Sequence, residues 1–527
     1  MRFQRVTVLI LAIVLAAVSL GTSPTHAADA KTLVVGISEN TTSLDPARGF
    51  EPETTTIHKV VYDTLVTFPP DGTYKIIPNL ATAWTISDDG LTYTFTLKDG
   101  VKFSTGNPVT ADDVVFSVNR VKNVQGNPSF LAATVASVTA KDKSTVVLKL
   151  SQPDPAILAK MVYTPFAVTD SVTIKAHGGT DAADAKTTDK AEAWLNQNSA
   201  GTGPYVLTKW DPHNEMDLVK NATYWGTAPA TFDKIIVRDI PKAATQKDAL
   251  QAGDLDVAFD LNADQSASIK SDSNLKLYES ASATVFFLLM NQDKTIGGPM
   301  SNPKVQRAVR LALDYQGILK LAGGSAVTPP SVIPVGFVGA WGTDKALKRD
   351  VAGAKKLLAD AGVTNATVDL EYAEFTYQGV NFGTLAQKIK ADLADVGITV
   401  NLKPGEIQVV LANYRDGKEG FSLWWWDPDY IDAIDYVEFL PEGTVGKRAK
   451  WTDANDDADI KGYRDSVTKE VDVNKRVDLF GKIQQYLQDK GPFAPLLQPG
   501  IQIGYRADLK GIAYNYEWTV DLSQLTR

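Results

Sequence analysis

Between Trp424 and Asp435 the chain sets three consecutive tryptophans, a tyrosine and four aspartates within twelve residues: Trp424-Trp425-Trp426-Asp427-Pro428-Asp429-Tyr430-Ile431-Asp432, then Asp435. Carboxylates at that density could form a pair for acid–base hydrolysis, supply oxygen ligands to a hard cation, or face an organic ammonium group. Glycoside hydrolysis needs two carboxylates at a defined separation across a sugar, which sequence spacing does not set. Aspartates ahead of a helical turn also act as caps, so most of the cluster is expected to be polar loop and cap residues. Alternate strand residues share a face, so Trp424 and Trp426 would lie together with Trp425 opposite. Large aromatics are commonly core residues; ligand contact is expected of at least one, Trp426 by preference.

Other chemistry-bearing patterns lead elsewhere. Asp453-Ala454-Asn455-Asp456-Asp457 imitates the first half of a calcium loop, but Ala458 and Arg464 stand where the turn glycine and terminal glutamate are needed, so a helix start is expected. His58, His177 and His213 share no metal-ligand spacing, which argues against a directly His-ligated metal and implies neither metal nor cofactor. A metal carried by an organic chelator would escape that argument. No nucleophile elbow, phosphate loop or dinucleotide fingerprint occurs in a strand-to-helix context. The pattern points to capture of a molecule rather than its transformation.

The elements that must position these residues follow from periodicity. Thr32-Leu33-Val34-Val35-Gly36-Ile37 has strand length, and Ile57, Val60, Val61 and Leu65 recur at helical spacing, which opens an α/β lobe. From Asn79 to Val121, alternation of Leu91, Tyr93, Phe95 and Leu97 between Asp88-Asp89-Gly90 and Lys98-Asp99-Gly100 predicts a β-meander. It runs into a helix opened by Thr110 with Asp113 three residues on. Gly178 to Gly203, rich in Ala, Asp, Thr and Gly, reads as a connecting region near a domain boundary. The α/β alternation then resumes. Helices are expected from Asn302-Pro303, from Asp350 to Gly362, through Leu385, Ile389 and Leu393 to Gly397, and from Val473 to Leu487, with a strand at Ile398-Thr399-Val400-Asn401-Leu402. Phe286-Phe287-Leu288-Leu289-Met290 is an apolar run of strand length that ends at Asn291.

A chain of 527 residues needs two or three structural units, and 44% hydrophobic with 22% charged residues is a globular composition. Residues 1–27 read as a cleavable export signal: Arg2 and Arg5, an apolar run from Val6 to Leu20, and a small-residue site at Thr25-His26-Ala27. That run falls short of the roughly 20 residues of a spanning helix. The absence of cysteine removes disulfides, thiolate metal sites, thiol catalysis and the lipid-attachment residue of a tethered lipoprotein. An exported, untethered protein is retained only behind an outer barrier, which points to the periplasm. The formal charge of −9 becomes two units more negative without Arg2 and Arg5, disfavouring nucleic acid or anionic lipid as partner.

Eight short motifs stand in order along the chain: Ser43-Leu44-Asp45-Pro46, Asn79-Leu80-Ala81-Thr82-Ala83-Trp84, Asp89-Gly90-Leu91-Thr92-Tyr93-Thr94-Phe95, Gly100-Val101-Lys102-Phe103, Thr110-Ala111-Asp112-Asp113-Val114, Gly201-Thr202-Gly203-Pro204-Tyr205, Asn221-Ala222-Thr223-Tyr224-Trp225 and Arg307-Ala308-Val309-Arg310-Leu311-Ala312. With them the chain resembles the bacterial extracellular solute-binding protein family 5, which includes dipeptide- and oligopeptide-binding receptors of ABC importers. The resemblance implies an α/β, two-lobed periplasmic-binding-protein type II fold with a third, smaller inserted domain. The first lobe would comprise residues 28–75, 200–290 and 496–527, the insert 76–199 and the second lobe 291–495, with hinge crossovers near Asn291 and Leu496. Such a protein is a monomeric receptor, not an enzyme. It passes a peptide or peptide-like solute to an inner-membrane permease with its ATPase subunits. A non-peptide cargo (opine, oligosaccharide or chelated nickel) and a secreted hydrolase are the alternatives.

In peptide-binding members, an Asp three residues after a Trp and just before an aromatic pairs with the ligand's amino terminus. Trp426-Asp427-Pro428-Asp429-Tyr430 matches that pattern and assigns Asp429 to the ammonium, with Trp426, Tyr430, Trp424 and Asn291 as further ligand-site candidates. A shifted register would put Asp427 in the cleft instead. Ile431-Asp432-Ala433 stands where the family usually has Pro-Asp-Pro, and Asn381-Phe382-Gly383 occupies the neighbourhood where dipeptide receptors carry an arginine for the ligand's carboxylate. The resemblance therefore does not extend to strict dipeptide specificity.

Overall fold

In the computed structural model the described residues are 31–38, 41–455 and 457–527, so the export signal predicted at residues 1–27 lies outside them. Three sheets organise the chain. The first has seven strands in the order Leu275–Ala281, Gly500–Arg506, Val257–Ala258, Thr32–Ile37, Lys234–Asp239, Glu215–Lys220 and Tyr205–Asp211. Its Thr32–Ile37 strand is apolar almost throughout because parallel neighbours flank it and both its faces are covered.

The second sheet runs Thr399–Gly405, Thr367–Ala373, Phe421–Trp426, Val285–Met290, Phe493–Leu497. Val285–Met290 is buried at every position, and its period of two divides it between two cores: Phe287 and Leu289 face one, Phe286, Leu288 and Met290 the other. The third sheet is antiparallel, in the order Ala81–Ile86, Thr92–Leu97, Thr145–Leu150, Val135–Asp142, with the helix Ala111–Val124 packed on it. Of the meander expected between Asn79 and Val121 only the hairpin Ala81–Ile86 with Thr92–Leu97 forms there; the other two strands come after the helix, and the later of them pairs with the hairpin, so the sheet is not a meander. The helix begins as predicted, with Asp113 Oδ2 accepting the Thr110 N–H at 2.9 Å.

Local helix signals act as expected. Asn302 accepts from Lys304 N at 2.9 Å ahead of Pro303–Ala312, and Asp350 from Gly353 N at 2.8 Å ahead of Val351–Asp360. Gly362 and Gly397 take the left-handed conformation that ends their helices, with φ of 68° and 89°. The first helix, Pro52–Val61, stops short of Leu65, because Tyr62 is already extended. Among the described residues no helix is long and apolar enough to cross a membrane.

Two sequence expectations are corrected. Gly178 to Gly203 is not a loose connector: Ala191, Leu195 and Ala200 share a core with Phe116. Arg120, 2% exposed, lies between two carboxylates, donating to Asp45 Oδ1 at 2.6 Å and to Asp189 Oδ2 at 2.8 Å. A guanidinium is buried only with such partners, so the polar composition of this stretch reports a buried ion network rather than a linker.

The crossovers are also displaced. The chain leaves the first sheet at Ala281, enters the second at Val285, and returns between Leu497 and Gly500. The passages are Ser282-Ala283-Thr284 and Gln498-Pro499, tied side by side by Ser282 N to Pro499 O and Gln498 Nε2 to Ser282 O, each 2.8 Å. Asn291 marks the far end of a second-sheet strand and Leu496 lies within another. The break comes where three small residues interrupt the pairing, not where the apolar run ends.

Candidate functional site

The strand Phe421–Trp426 pairs antiparallel with Val285–Met290, setting Trp426 opposite Val285 at the start of the crossover strand. Asp427-Pro428-Asp429 therefore leaves the sheet beside the passage between lobes, in the crevice at the carboxyl end of a strand where α/β sheets place ligands. A cavity of about 310 Å³ opens there. The second sheet's side contributes Asp427, Pro428 and Asp429 with Tyr377 and Gln378; Phe50, Pro52, Thr55, Tyr516 and Glu517 face them, and Tyr163 completes the wall. Tyr377 and Gln378 come from a hairpin, Thr376–Tyr377 with Val380–Asn381, whose turn Gln378-Gly379 has φ of 45° and 76°. Pro52 and Thr55 lie in the first turn of Pro52–Val61, and Tyr516 and Glu517 between the short strands Tyr514–Asn515 and Thr519–Val520.

The two aspartates of the motif have different environments. Asp427 is already satisfied: Thr284 Oγ1 donates to Oδ1 at 2.5 Å, while Tyr377 OH and Trp425 Nε1 donate to Oδ2 at 2.7 and 3.0 Å. Burial pushes its carboxyl up, and these three donors oppose the shift. Thr284 belongs to the passage between the two sheets, so that passage is bonded directly to the site.

Asp429 projects into the cavity, where water reaches it although protein surrounds it. Among the described residues nothing donates a hydrogen bond to its carboxylate. Burial first, then the charges of Glu438 and Asp427, push it up to about 6; Lys160 opposes them. The Lys160 ammonium is itself held by Asp154 at 2.8 Å and sits 4.7 Å from the Tyr430 ring centre.

The remaining acids are structural. Asp435 accepts from Trp426 Nε1 at 3.0 Å and Asp429 N at 3.3 Å, and burial and the Asp429 charge push it well above the carboxylate range. Asp432 caps the helical turn Ala433–Phe439 through Ile434 N at 2.9 Å and pairs with Arg476. Among the described residues no group of three His, Cys, Asp or Glu side chains is placed to hold a metal ion.

Trp424 is a correction. It is 2% exposed, stacks on Tyr414 with centroids 4.2 Å apart and donates to Glu419 Oε2 at 2.7 Å, so it is core. The face it shares with Trp426 is the packed one, where Trp426 meets Phe439 edge-on at 5.6 Å. Trp426 and Tyr430 are half-buried and back the loop rather than line the cavity. Trp425, on the other face, sits 5.0 Å from both Phe375 and Tyr377 and reaches Asp427.

Asn291 is a second correction. Fully buried, its amide donates to Glu419 O at 2.9 Å and Gly417 O at 3.3 Å, far along the strand from the site, so it fixes a loop.

Glu517 was not anticipated. Only 3% exposed, it accepts from Thr164 N at 3.2 Å and is pushed well above its usual range by burial. Its one signal in sequence is a lone acid among aromatics, Tyr514-Asn515-Tyr516-Glu517-Trp518. Tyr163, Tyr377 and Gln378 carried no sequence signal beyond the Gln-Gly turn.

A carboxylate without donors among the described residues, pressed by like charges in a cavity partly walled by aromatic residues, is suited to an organic cation. Comparison with known proteins agrees with a binding site. The Probable D,D-dipeptide-binding periplasmic protein of Escherichia coli (strain K12) is 27% identical, with 93% of each chain covered. Di/tripeptide-binding protein 2 of Pseudomonas aeruginosa (strain UCBPP-PA14) is 27% identical, with 92% of each covered. The solved structure of HbpA2 from Haemophilus parasuis superposes with a TM-score of 0.81 at 23% identity, covering 94% of this chain and 99% of that one. The family described as bacterial extracellular solute-binding proteins, family 5 Middle, matches residues 75–447, and with that match over most of its length the chain belongs to family 5 of the bacterial extracellular solute-binding proteins.

Proposed function

We propose that the protein is the periplasmic receptor of an ABC importer, and that it captures a peptide or peptide-like solute whose ammonium group meets Asp429. The observation that carries this reading is the Asp429 carboxylate, projecting into an interlobe cavity with no hydrogen-bond donor among the described residues and with burial, then Glu438 and Asp427, raising its pKa to about 6. An ammonium there relieves the repulsion and gains charge-assisted hydrogen bonds. Two relatives named for peptides support the cargo class.

Binding acts by population shift. Contacts made by both lobes at once exist only when the cleft is shut, and the shut form is what an inner-membrane permease reads. The moving unit is residues 285–497, and the hinge is the paired passages 282–284 and 498–499. Trp426 and Tyr430 hold the loop that carries Asp429.

The test is mass spectrometry of solute released from protein purified without added ligand, followed by thermal-shift titration of wild type and Asp429→Ala. An amine-bearing peptide whose stabilising effect is lost in Asp429→Ala is expected. A released sugar lacking any amine, or full binding by Asp429→Ala, would overturn the reading.

A further inference from the structure

Resting on the amine-receptor reading above, we infer that the cargo is a carboxylate-free or carboxyl-blocked organic cation, such as a peptide amide, and not a zwitterionic peptide held at both ends. The cavity wall carries three acids, Asp427, Asp429 and Glu517, and among the described residues no lysine, arginine or histidine. The nearest cations are engaged elsewhere. Lys160 is held by Asp154 at 2.8 Å, Arg476 by Asp432, and Lys59 donates to Thr67 at 3.0 Å while lying 4.2 Å from the Trp518 ring centre.

One helix start reaches the cavity, and a helix start can hold a carboxylate by its free N–H groups. Here Pro52 has no N–H to offer, and a further carboxylate, Glu51, stands at the same helix start, accepting from Phe50 N at 3.1 Å and Thr54 Oγ1 at 3.2 Å. A ligand carboxylate in this cavity would thus face three acids without a cationic partner.

An unpaired acceptor on the wall asks for a donor instead. The Thr284 hydroxyl donates to Asp427 Oδ1 at 2.5 Å. Thr284 Oγ1 then accepts from Gln378 Nε2 at 2.6 Å, which turns Gln378 Oε1 outward as a buried acceptor with no partner. The buried Tyr163 hydroxyl across the cavity lies against the Glu517 carboxyl. A terminal amide offers N–H donors where a free acid offers another negative charge. At about 310 Å³ the space is at the small end for ligand pockets and suits a dipeptide-sized molecule.

Isothermal titration of the full mature chain at neutral pH decides between these, with three probes: L-alanyl-L-alanine amide, L-alanyl-L-alanine, and the N-acetylated amide. The amide is expected to bind roughly tenfold or more tighter than the free dipeptide, and the acetylated probe not to bind. Equal or tighter binding of the free dipeptide overturns this inference while leaving the Asp429 reading intact. Binding of the acetylated probe on a par with the amide, or of none of the three, overturns the Asp429 reading and this inference with it. In Gln378→Lys, which sets a cation on the cavity wall, the preference should shrink or reverse; an unchanged preference counts against the missing cation as its cause. If that variant fails to fold, the wild-type comparison still decides.

Discussion

Asp429→Asn keeps the shape of the side chain and removes its charge, so it isolates the feature on which the function rests. In the free protein the carboxyl is raised from 3.8 to about 6, and ionising it costs the folded chain free energy that the unfolded chain does not incur. Each pKa unit corresponds to about 1.4 kcal/mol, but water reaching this exposed side chain through the cleft screens much of the effect, leaving on the order of 1 kcal/mol. The folded state holds the proton more tightly than the unfolded one. The contribution of this group to wild-type stability therefore falls as pH rises from the unfolded value of 3.8 towards about 6, and the Asn variant lacks that contribution. At neutral pH the ligand-free variant should melt about 1 °C above wild type, given the unfolding entropy of a chain this long, and most of that advantage should vanish near pH 4. Differential scanning calorimetry at both pH values reads it. With cationic ligand at a hundredfold its Kd the order inverts, since wild type alone gains about 2.7 kcal/mol. A variant less stable than wild type at neutral pH, or an advantage equal at both pH values, would refute the reasoning.

Three further outcomes are expected. Arg120→Met leaves Asp45 and Asp189 buried with only the more distant Arg48 as cation, at 3.5 and 3.3 Å, and should cost about 3–5 kcal/mol in urea unfolding; a loss below about 1 kcal/mol would contradict the buried network. Thr284→Val removes the 2.5 Å donor to Asp427 and should cost about 1–3 kcal/mol and weaken ligand binding, whereas Thr284→Ser should retain both, as thermal melts and titration would show. Trp424→Phe deprives Glu419 of its 2.7 Å donor, so its stability deficit should grow as pH rises through about 7, where burial has placed the Glu419 pKa, with ligand preference unchanged; an altered preference would return Trp424 to the cleft.

The local grammar of the chain was legible because it depends on a few neighbouring residues. Thr110 with Asp113, Asn302 before Pro303, Asp350, and the helix-ending Gly362 and Gly397 each satisfy or release backbone groups within one turn. The paired faces of Trp424 and Trp426 were equally legible from the pleat. Which of those faces is core was not, since Tyr414 and Phe439, packed against the two rings, lie outside the strand.

The same limit separated Asp427 from Asp429. Two residues apart on one loop, they have equal standing in sequence; Asp427 is satisfied by Thr284, Tyr377 and Trp425, which are 143, 50 and 2 residues away, and Asp429 by none of the described residues. Glu517 and Tyr163 join the same wall from segments more than 350 residues apart in the chain. Sequence by itself determined the capped helices, the apolar strands, the family motifs and the acid-rich loop, because those follow from local backbone chemistry and periodicity. Tertiary structure alone decided which carboxylate is left without donors and which lobe each strand joins, because burial and hydrogen bonding depend on what distant segments bring into contact.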